Sequence, residues 1–598
     1  MGLSCNYVCT GVKDHRQLSE QVVANAALSG FSSLDNTLLY LLAGYKIHLY
    51  LYWYYIVYLL IWKYYTFGIS RRDCVIYAFP DYIEMGKLLK KLVLGGSLGS
   101  LICGFCLFRD LPMPSATGPP YQLLKKQPFP NQHFLTKEPH SICIIGGGPA
   151  GLITAKVLSQ QGYQVEVLEK GTRPGGVWAD NYQDAGLQGT FPHFHIPDFP
   201  WPRDTALFPK LPEVRKYLDS FVDFFQLKPL LRLGAEVSSV QQEEDGSWTV
   251  SLKTGTRQRY DFLVLSTGQF SSPYIPALPG LDSFQGQALH SFYVRNAKEL
   301  FAGKRVVVVG GGKSACDILT LAVENSGKVT GVLGAPVWSG SRTKLFYGRE
   351  VQAWLTCRLA GMLNPAPYEA NTWQNRLLRQ IGSFYWGCIA YRLAKDLPTC
   401  LKPTTDLRTP RAIIGRDEAL ITHIAKGEVA IVKGPISHIT PHGLMVNSVL
   451  IPADVIIFAT GFQCVSFGLA GKEQTFWLYR GVVDPKIRNF AVIGYGNLTF
   501  TQVKSSLQAA WLCDVLRGAV QLPPLDAMKA EVEAYEAAIR AAYGEKACKL
   551  AYVWNEIRYY DALLRDMQVQ TRRKGTWYED LMGMPDPLDY KLVLTHRV

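Results

Sequence analysis

The stretch SICIIGGGPAGLITAKVL, Ser141 to Leu158, decides how the rest of the 598-residue chain is read. Ser141 to Ile145 favour a strand, and from Leu152 onward the apolar residues take helical spacing. Between them Gly146, Gly148 and Gly151 fill a G-x-G-x-x-G pattern, completed by Gly147, Pro149 and Ala150. In such a turn the first glycine permits the tight bend and the second lets the backbone approach a pyrophosphate. The third lets helix and strand pack closely, with the phosphates on the helix N-terminus. Glu169 ends the next strand, Gln164 to Leu168, where it can accept a hydrogen bond from a ribose hydroxyl, and Lys170 follows it. Strand, glycines, helix, strand and acid in that order predict a dinucleotide-binding βαβ unit.

Working outward, KRVVVVGGGKSACDIL repeats the pattern. Gly310, Gly312 and Ala315 make G-x-G-x-x-A, with Lys313 and Ser314 inside the turn. Two phosphate cradles imply two dinucleotides, one held as a prosthetic group and the other exchanging as hydride donor. The buried-strand signatures DFLVLSTG and DVIIFATG end at Ser266, Thr267, Gly268 and at Ala459, Thr460, Gly461, where the chain crosses between the two halves. The expected fold is α/β: two Rossmann-like dinucleotide-binding domains, the second inserted in the first, with N-terminal membrane-associated helices in front.

Composition agrees with a folded body. Charged residues make up 19% and hydrophobic ones 48%, which sets aside a disordered chain, and the mixture is too polar for a polytopic transporter. The 62 Lys and Arg against 49 Asp and Glu leave +13, shared between the N-terminal region and the body, so anionic headgroups and phosphate-bearing cofactors fit the charge better than nucleic acid does. The 13 scattered cysteines read as reduced thiols. Residues 1–109 carry two apolar runs, at 38–62 and 92–108, read as candidate membrane helices. A proline-rich linker follows at 110–137. The division expected thereafter is 138–295 and 441–523 for the first dinucleotide domain, 296–440 for the second, and 524–598 for a C-terminal helical tail.

After Glu169 the chain continues KGTRPGGVW, so Gly175, Gly176, Val177 and Trp178 extend the first motif to E-x-x-x-x-x-G-G-x-W. Here the sequence resembles the flavin-containing monooxygenase family, and the resemblance runs from about residue 138 to the C-terminus. It implies that the first turn holds FAD and the second NADPH. FAD reduced by NADPH would add O2 as a C4a-hydroperoxide and oxygenate a small lipophilic substrate at nitrogen or sulfur, less favourably beside a ketone. A flavoprotein NAD(P)H oxidase or reductase, releasing peroxide or reducing a membrane acceptor, is the alternative. The resemblance also implies an endomembrane location such as the endoplasmic reticulum, with the catalytic part facing the cytosol.

Two departures from the family pattern matter. Phe284, Gly286 and His290 match its F-x-G-x-x-x-H fingerprint, but Val294 stands where Tyr or Phe is expected, so His290 reads as an orienting residue beside the nicotinamide site rather than a general base. The asparagine that the family links to the oxygenated flavin falls on Gln188, and Leu187-Gln188, with Arg572 to Lys574 and Asp589-Tyr590, resembles a plant and algal Leu-Gln-Thr-Pro branch. Catalytic roles are therefore expected for Gln188 and His290. For the 2′-phosphate of NADPH the candidate cations are Lys313, Arg342 and Lys344. His193 and His195 lack companion ligands at metal spacing, so no metal is expected.

Overall fold

A computed structural model describes residues 131–595, apart from 347, 370–371, 409–413, 417, 471–475, 497 and 545–555. The apolar runs at 38–62 and 92–108 lie outside the described residues. Among the described residues no helix is long and apolar enough to cross a membrane.

Two five-stranded sheets organise the body, and every strand pairing within them is parallel. The first orders its strands Phe490–Val492, Phe262–Leu265, Ser141–Ile145, Gln164–Glu169, Leu231–Leu233. The second orders Val429–Lys433, Lys328–Leu333, Arg305–Val309, Val455–Phe458, Gln287–His290. Their central strands, FLVL, RVVVV and VIIF, are almost wholly apolar because both faces of each sheet are covered, one by helices and the other by a three-stranded antiparallel sheet: Leu263 packs with Trp248 and Val250, and Val307 with Ile439 and Leu444. In register, Ile145 lies opposite Leu168 and Leu265, so Gly146, Glu169 and Ser266 leave the first sheet at one carboxyl edge. Val309 lies opposite Val332 and Phe458, and Phe458 opposite His290, which puts Gly310, Ala459 and His290 at the matching edge of the second. Ligands of open α/β sheets bind outside the carboxyl ends of the strands.

The expected domain borders move. Gln287–His290 and Val455–Phe458 both pair within the second sheet, so the exchange between halves falls at Gly268 and Gly461 rather than at 296 and 440. Short strands flanked by loops carry little border signal of their own; only their pairing assigns them. The linker also ends earlier than 137. Asn131 donates to the carbonyls of Val515 and Val520, and Phe134 and Leu135 are buried in the first core. Nor is 524–598 a mere tail. Met528, Tyr560, Leu563, Leu564, Tyr590, Val593 and Leu594 belong to the same core as Val503 to Leu516 of the buried helix Thr501–Leu516. Each large apolar side chain so buried contributes about 1.5–3 kcal/mol.

Candidate functional site

Gly146 sits at φ +111°, and a Cβ there would lie 2.5 Å from the Ser266 carbonyl oxygen. At Gly151 a Cβ would come within 1.9 Å of the Gly146 carbonyl oxygen, so helix Pro149–Ser159 can approach its strand only without a side chain there. A Cβ on Gly148 would meet nothing closer than the Gly176 Cα at 3.7 Å, and no side chain caps the helix it begins. An uncapped helix N-terminus behind bare backbone is the donor set a pyrophosphate requires. The G-G-x-W extension folds onto this turn. Gly175 N–H donates to the Gly147 carbonyl at 2.8 Å, Val177 accepts from Asn181, and the Trp178 ring packs on the first core.

Glu169 is buried, with Oε2 accepting from Gly147 N–H at 2.7 Å and Oε1 from Gly171 N–H at 2.8 Å. Each oxygen keeps a second lone pair for a ribose hydroxyl. Lys170 instead reaches the Ser271 carbonyl at 3.2 Å. Thr267 Oγ1 donates to the Val465 carbonyl at 2.8 Å, tying the first crossing to the second, and a Cβ on Gly268 would meet nothing within 4 Å. Among the described residues the buried Ser266 hydroxyl has no hydrogen-bond partner, so it is available to a cofactor.

The second turn repeats these features. Gly310 has φ +135°, and a Cβ there would lie 2.3 Å from the Ala459 carbonyl oxygen. Gly312 opens helix Lys313–Asn325 without a side-chain cap, and a Cβ on it would meet nothing within 4 Å. Ala315, the counterpart of Gly151, is buried, and Ser314 contacts the Tyr182 hydroxyl. The three candidate cations already have partners: Lys313 pairs with Asp317, Arg342 donates to the Leu187 carbonyl at 3.3 Å, and Lys344 lies 3.3 Å from Glu418.

His290 is fully buried. Its Nε2–H donates to the Gly461 carbonyl at 2.9 Å and its Nδ1 accepts from Phe292 N–H at 3.1 Å, while burial lowers its pKa. Both ring nitrogens of this neutral tautomer are committed to backbone, which suits a clamp on the crossing at Gly461, where Thr460 donates to the Tyr274 carbonyl. Gln188 is exposed, and its Oε1 accepts from Gly415 N–H at 3.2 Å, on a strand of the inserted half. Its partners are thus residues outside both glycine turns. His193 and His195 hold local structure: His193 Nε2 lies 3.4 Å from Glu350, and His195 Nδ1 accepts from Trp201 N–H at 2.9 Å.

Sequence reasoning missed Lys504. It stands in the first turn of helix Thr501–Leu516, 1% exposed, and its ammonium donates to the carbonyls of Gly494 at 3.0 Å and Gly496 at 2.5 Å. Burial pulls it down to about 7, opposed by the nearby Glu556 carboxylate, which burial raises. The loop it holds abuts the first turn, since a Cβ on Gly494 would lie 2.5 Å from the Ala150 Cβ. A cation in the first turn of a helix opposes the macrodipole, and that local conflict was the available signal.

Residues 139–574 match the flavin-binding monooxygenase-like family. The chain is 27% identical over 524 residues to a probable flavin-containing monooxygenase 1 of Arabidopsis thaliana, covering 75% of this chain and 96% of that protein. It is 26% identical over 430 residues to dimethylaniline monooxygenase [N-oxide-forming] 4 of Rattus norvegicus, covering 65% and 72%. Among solved structures, OTEMO in complex with FAD and NADP superposes with a TM-score of 0.51 at 20% identity, covering 70% of this chain and 93% of that one.

Proposed function

Because the chain belongs to the flavin-binding monooxygenase-like family, we propose that it oxygenates a small lipophilic substrate at a nitrogen or sulfur centre. It is a flavin-dependent monooxygenase with FAD and NADP as its cofactors. The observation that carries the assignment is the pair of open, uncapped glycine turns at the carboxyl edges of two parallel sheets. Held there, FAD reduced by NADPH would supply the two electrons that activate O2, one atom of which goes to the substrate and the other to water. The balance is NADPH, a proton, O2 and substrate going to NADP+, water and oxygenated substrate.

The residues divide the work. The turn at Gly146–Gly151 would hold the FAD diphosphate and Glu169 its ribose; the turn at Gly310–Ala315 would hold the NADP diphosphate. His290 is read as a positioning residue, setting the crossing between halves through the Gly461 carbonyl. The N or S preference rests on the family resemblance and on the N-oxide-forming relative from rat. Assignment to the Leu-Gln-Thr-Pro branch is supported by Leu187-Gln188 and by a C-terminal pattern that closes on itself, with Lys574 2.7 Å from Asp589 and Arg573 5.4 Å from the Tyr590 ring centre.

Supplying the FAD-loaded enzyme with NADPH, 18O2 and a panel of lipophilic amines, sulfides and ketones tests the reading. One labelled oxygen in an amine or sulfide product supports it. NADPH oxidation that yields only stoichiometric hydrogen peroxide with every compound sinks it in favour of an oxidase. We also propose that the apolar runs at 38–62 and 92–108 attach the protein to an endomembrane. That proposal rests on their length and on Lys46 being the single Lys, Arg, Asp or Glu within them, and alkaline carbonate extraction of the full chain that leaves it in the supernatant would refute it.

A further inference from the structure

Tyr182 lies four residues beyond Trp178, in the segment that wraps the first turn, yet its ring is 6% exposed within the core of the other half, among Val294, Ala297, Phe301 and Ile318. Its neighbour is pinned there too: Gln183 N–H donates to the Val294 carbonyl at 2.8 Å, and Gln183 Oε1 accepts from Ala297 N–H at 2.8 Å. The Tyr182 hydroxyl donates to Asp317 Oδ2 at 2.8 Å, and that same oxygen takes the Lys313 ammonium.

Lys313 is poorly placed for its present partner. It is the first residue of helix Lys313–Asn325, where the macrodipole disfavours a cation, and Lys before Asp at i,i+4 is the weaker orientation of such a pair. Ahead of it the space beside Gly312 is open. An anion docking on that helix end would reverse the local field and offer Lys313 a second acceptor. Asp317 would keep the Tyr182 hydroxyl as donor.

We propose that Tyr182, Asp317 and Lys313 form a displaceable tie between the two halves. A dinucleotide phosphate takes Lys313 from Asp317, and Tyr182 passes the change to the Gly175–Gln188 segment beside the FAD turn. Asp317 is thus a built-in competitor of the NADP phosphates, and Tyr182 a positioning residue. The inference rests on dinucleotide binding at the second turn, which NADP+ binding to the wild-type holoenzyme checks separately.

The test uses full-length, FAD-loaded enzyme, with NADP+ affinity measured by titration calorimetry. Asp317→Asn frees the ammonium and is expected to tighten NADP+ binding by roughly three- to tenfold, the range of a part-buried ion pair. Lys313→Met is expected to weaken it, and adding Asp317→Asn to Lys313→Met to change nothing further. A fragment lacking nicotinamide, 2′-phospho-ADP-ribose, is expected to perturb the flavin absorption spectrum of the wild type but not of Tyr182→Phe, while still binding both. Weaker or unchanged NADP+ binding by Asp317→Asn, or an intact spectral response in Tyr182→Phe, overturns the proposal. Loss of FAD from Asp317→Asn would also overturn it, by making the pair structural.

Discussion

At the residue scale, glycines of the two turns serve different needs. A methyl group at Gly151 collides with the Gly146 carbonyl at 1.9 Å, whereas one at Gly312 meets open space. Gly151→Ala is therefore expected to yield protein depleted of FAD and of lower Tm. Gly312→Ala should keep wild-type Tm and FAD content and lose affinity for NADP+, because only the ligand needs that space. Equal FAD loss in both variants would refute the distinction. Buried His193 has its pKa held at about 4 by desolvation. Between pH 6.5 and about 4 the unfolded chain takes up a proton that the folded one refuses, so stability falls as pH falls. His193 contributes up to about 3 kcal/mol across that window. His193→Gln should flatten the acid limb of the Tm–pH profile, and coincident profiles would show that the histidine plays no part in it.

At the scale of elements, the helix Thr501–Leu516 and the loop before it form a unit closed by Lys504. Gln508 assists, its Oε1 accepting from Gly494 N–H at 2.9 Å and its Nε2 donating to the Gly481 carbonyl at 3.0 Å. Lys504→Met leaves the Gly494 and Gly496 carbonyls without their donor, at about 1–3 kcal/mol for each buried unsatisfied group. Since that loop abuts Ala150, FAD is expected to dissociate about tenfold faster, each ~1.4 kcal/mol being one decade. Unchanged FAD release in a dilution assay would mean that the loop holds its place without the ammonium. Both glycine turns, with their strands and helices, were legible in the sequence because their chemistry is local. Lys504 was not, because its acceptors lie eight and ten residues upstream and its burial comes from packing.

At the scale of the whole molecule, the helices inserted after the second sheet's Lys328–Leu333 strand are riveted to the C-terminal region. Arg358 pairs with Asp561 and lies 2.9 Å from Asp580, while Arg349 donates to the Met582 carbonyl at 2.7 Å. Removing one partner of a buried ion pair strands the others, so Arg358→Met is expected to cost about 3–5 kcal/mol in denaturant unfolding. A loss under about 1 kcal/mol would place Arg358 among weak surface pairs. The sequence by itself determined the two cradles and their order, because glycine placement and strand periodicity are properties of short segments; it marked Gly268 and Gly461 as crossings yet set the domain borders at 296 and 440, and strand pairing resolved the two. Only the tertiary structure decided that Gln287–His290 joins the second sheet, that the C-terminal helices complete the first core, that Gln188 bonds to Gly415, and that Tyr182 lies in the opposite half. Those outcomes depend on contacts between residues far apart in the chain, which no local pattern encodes.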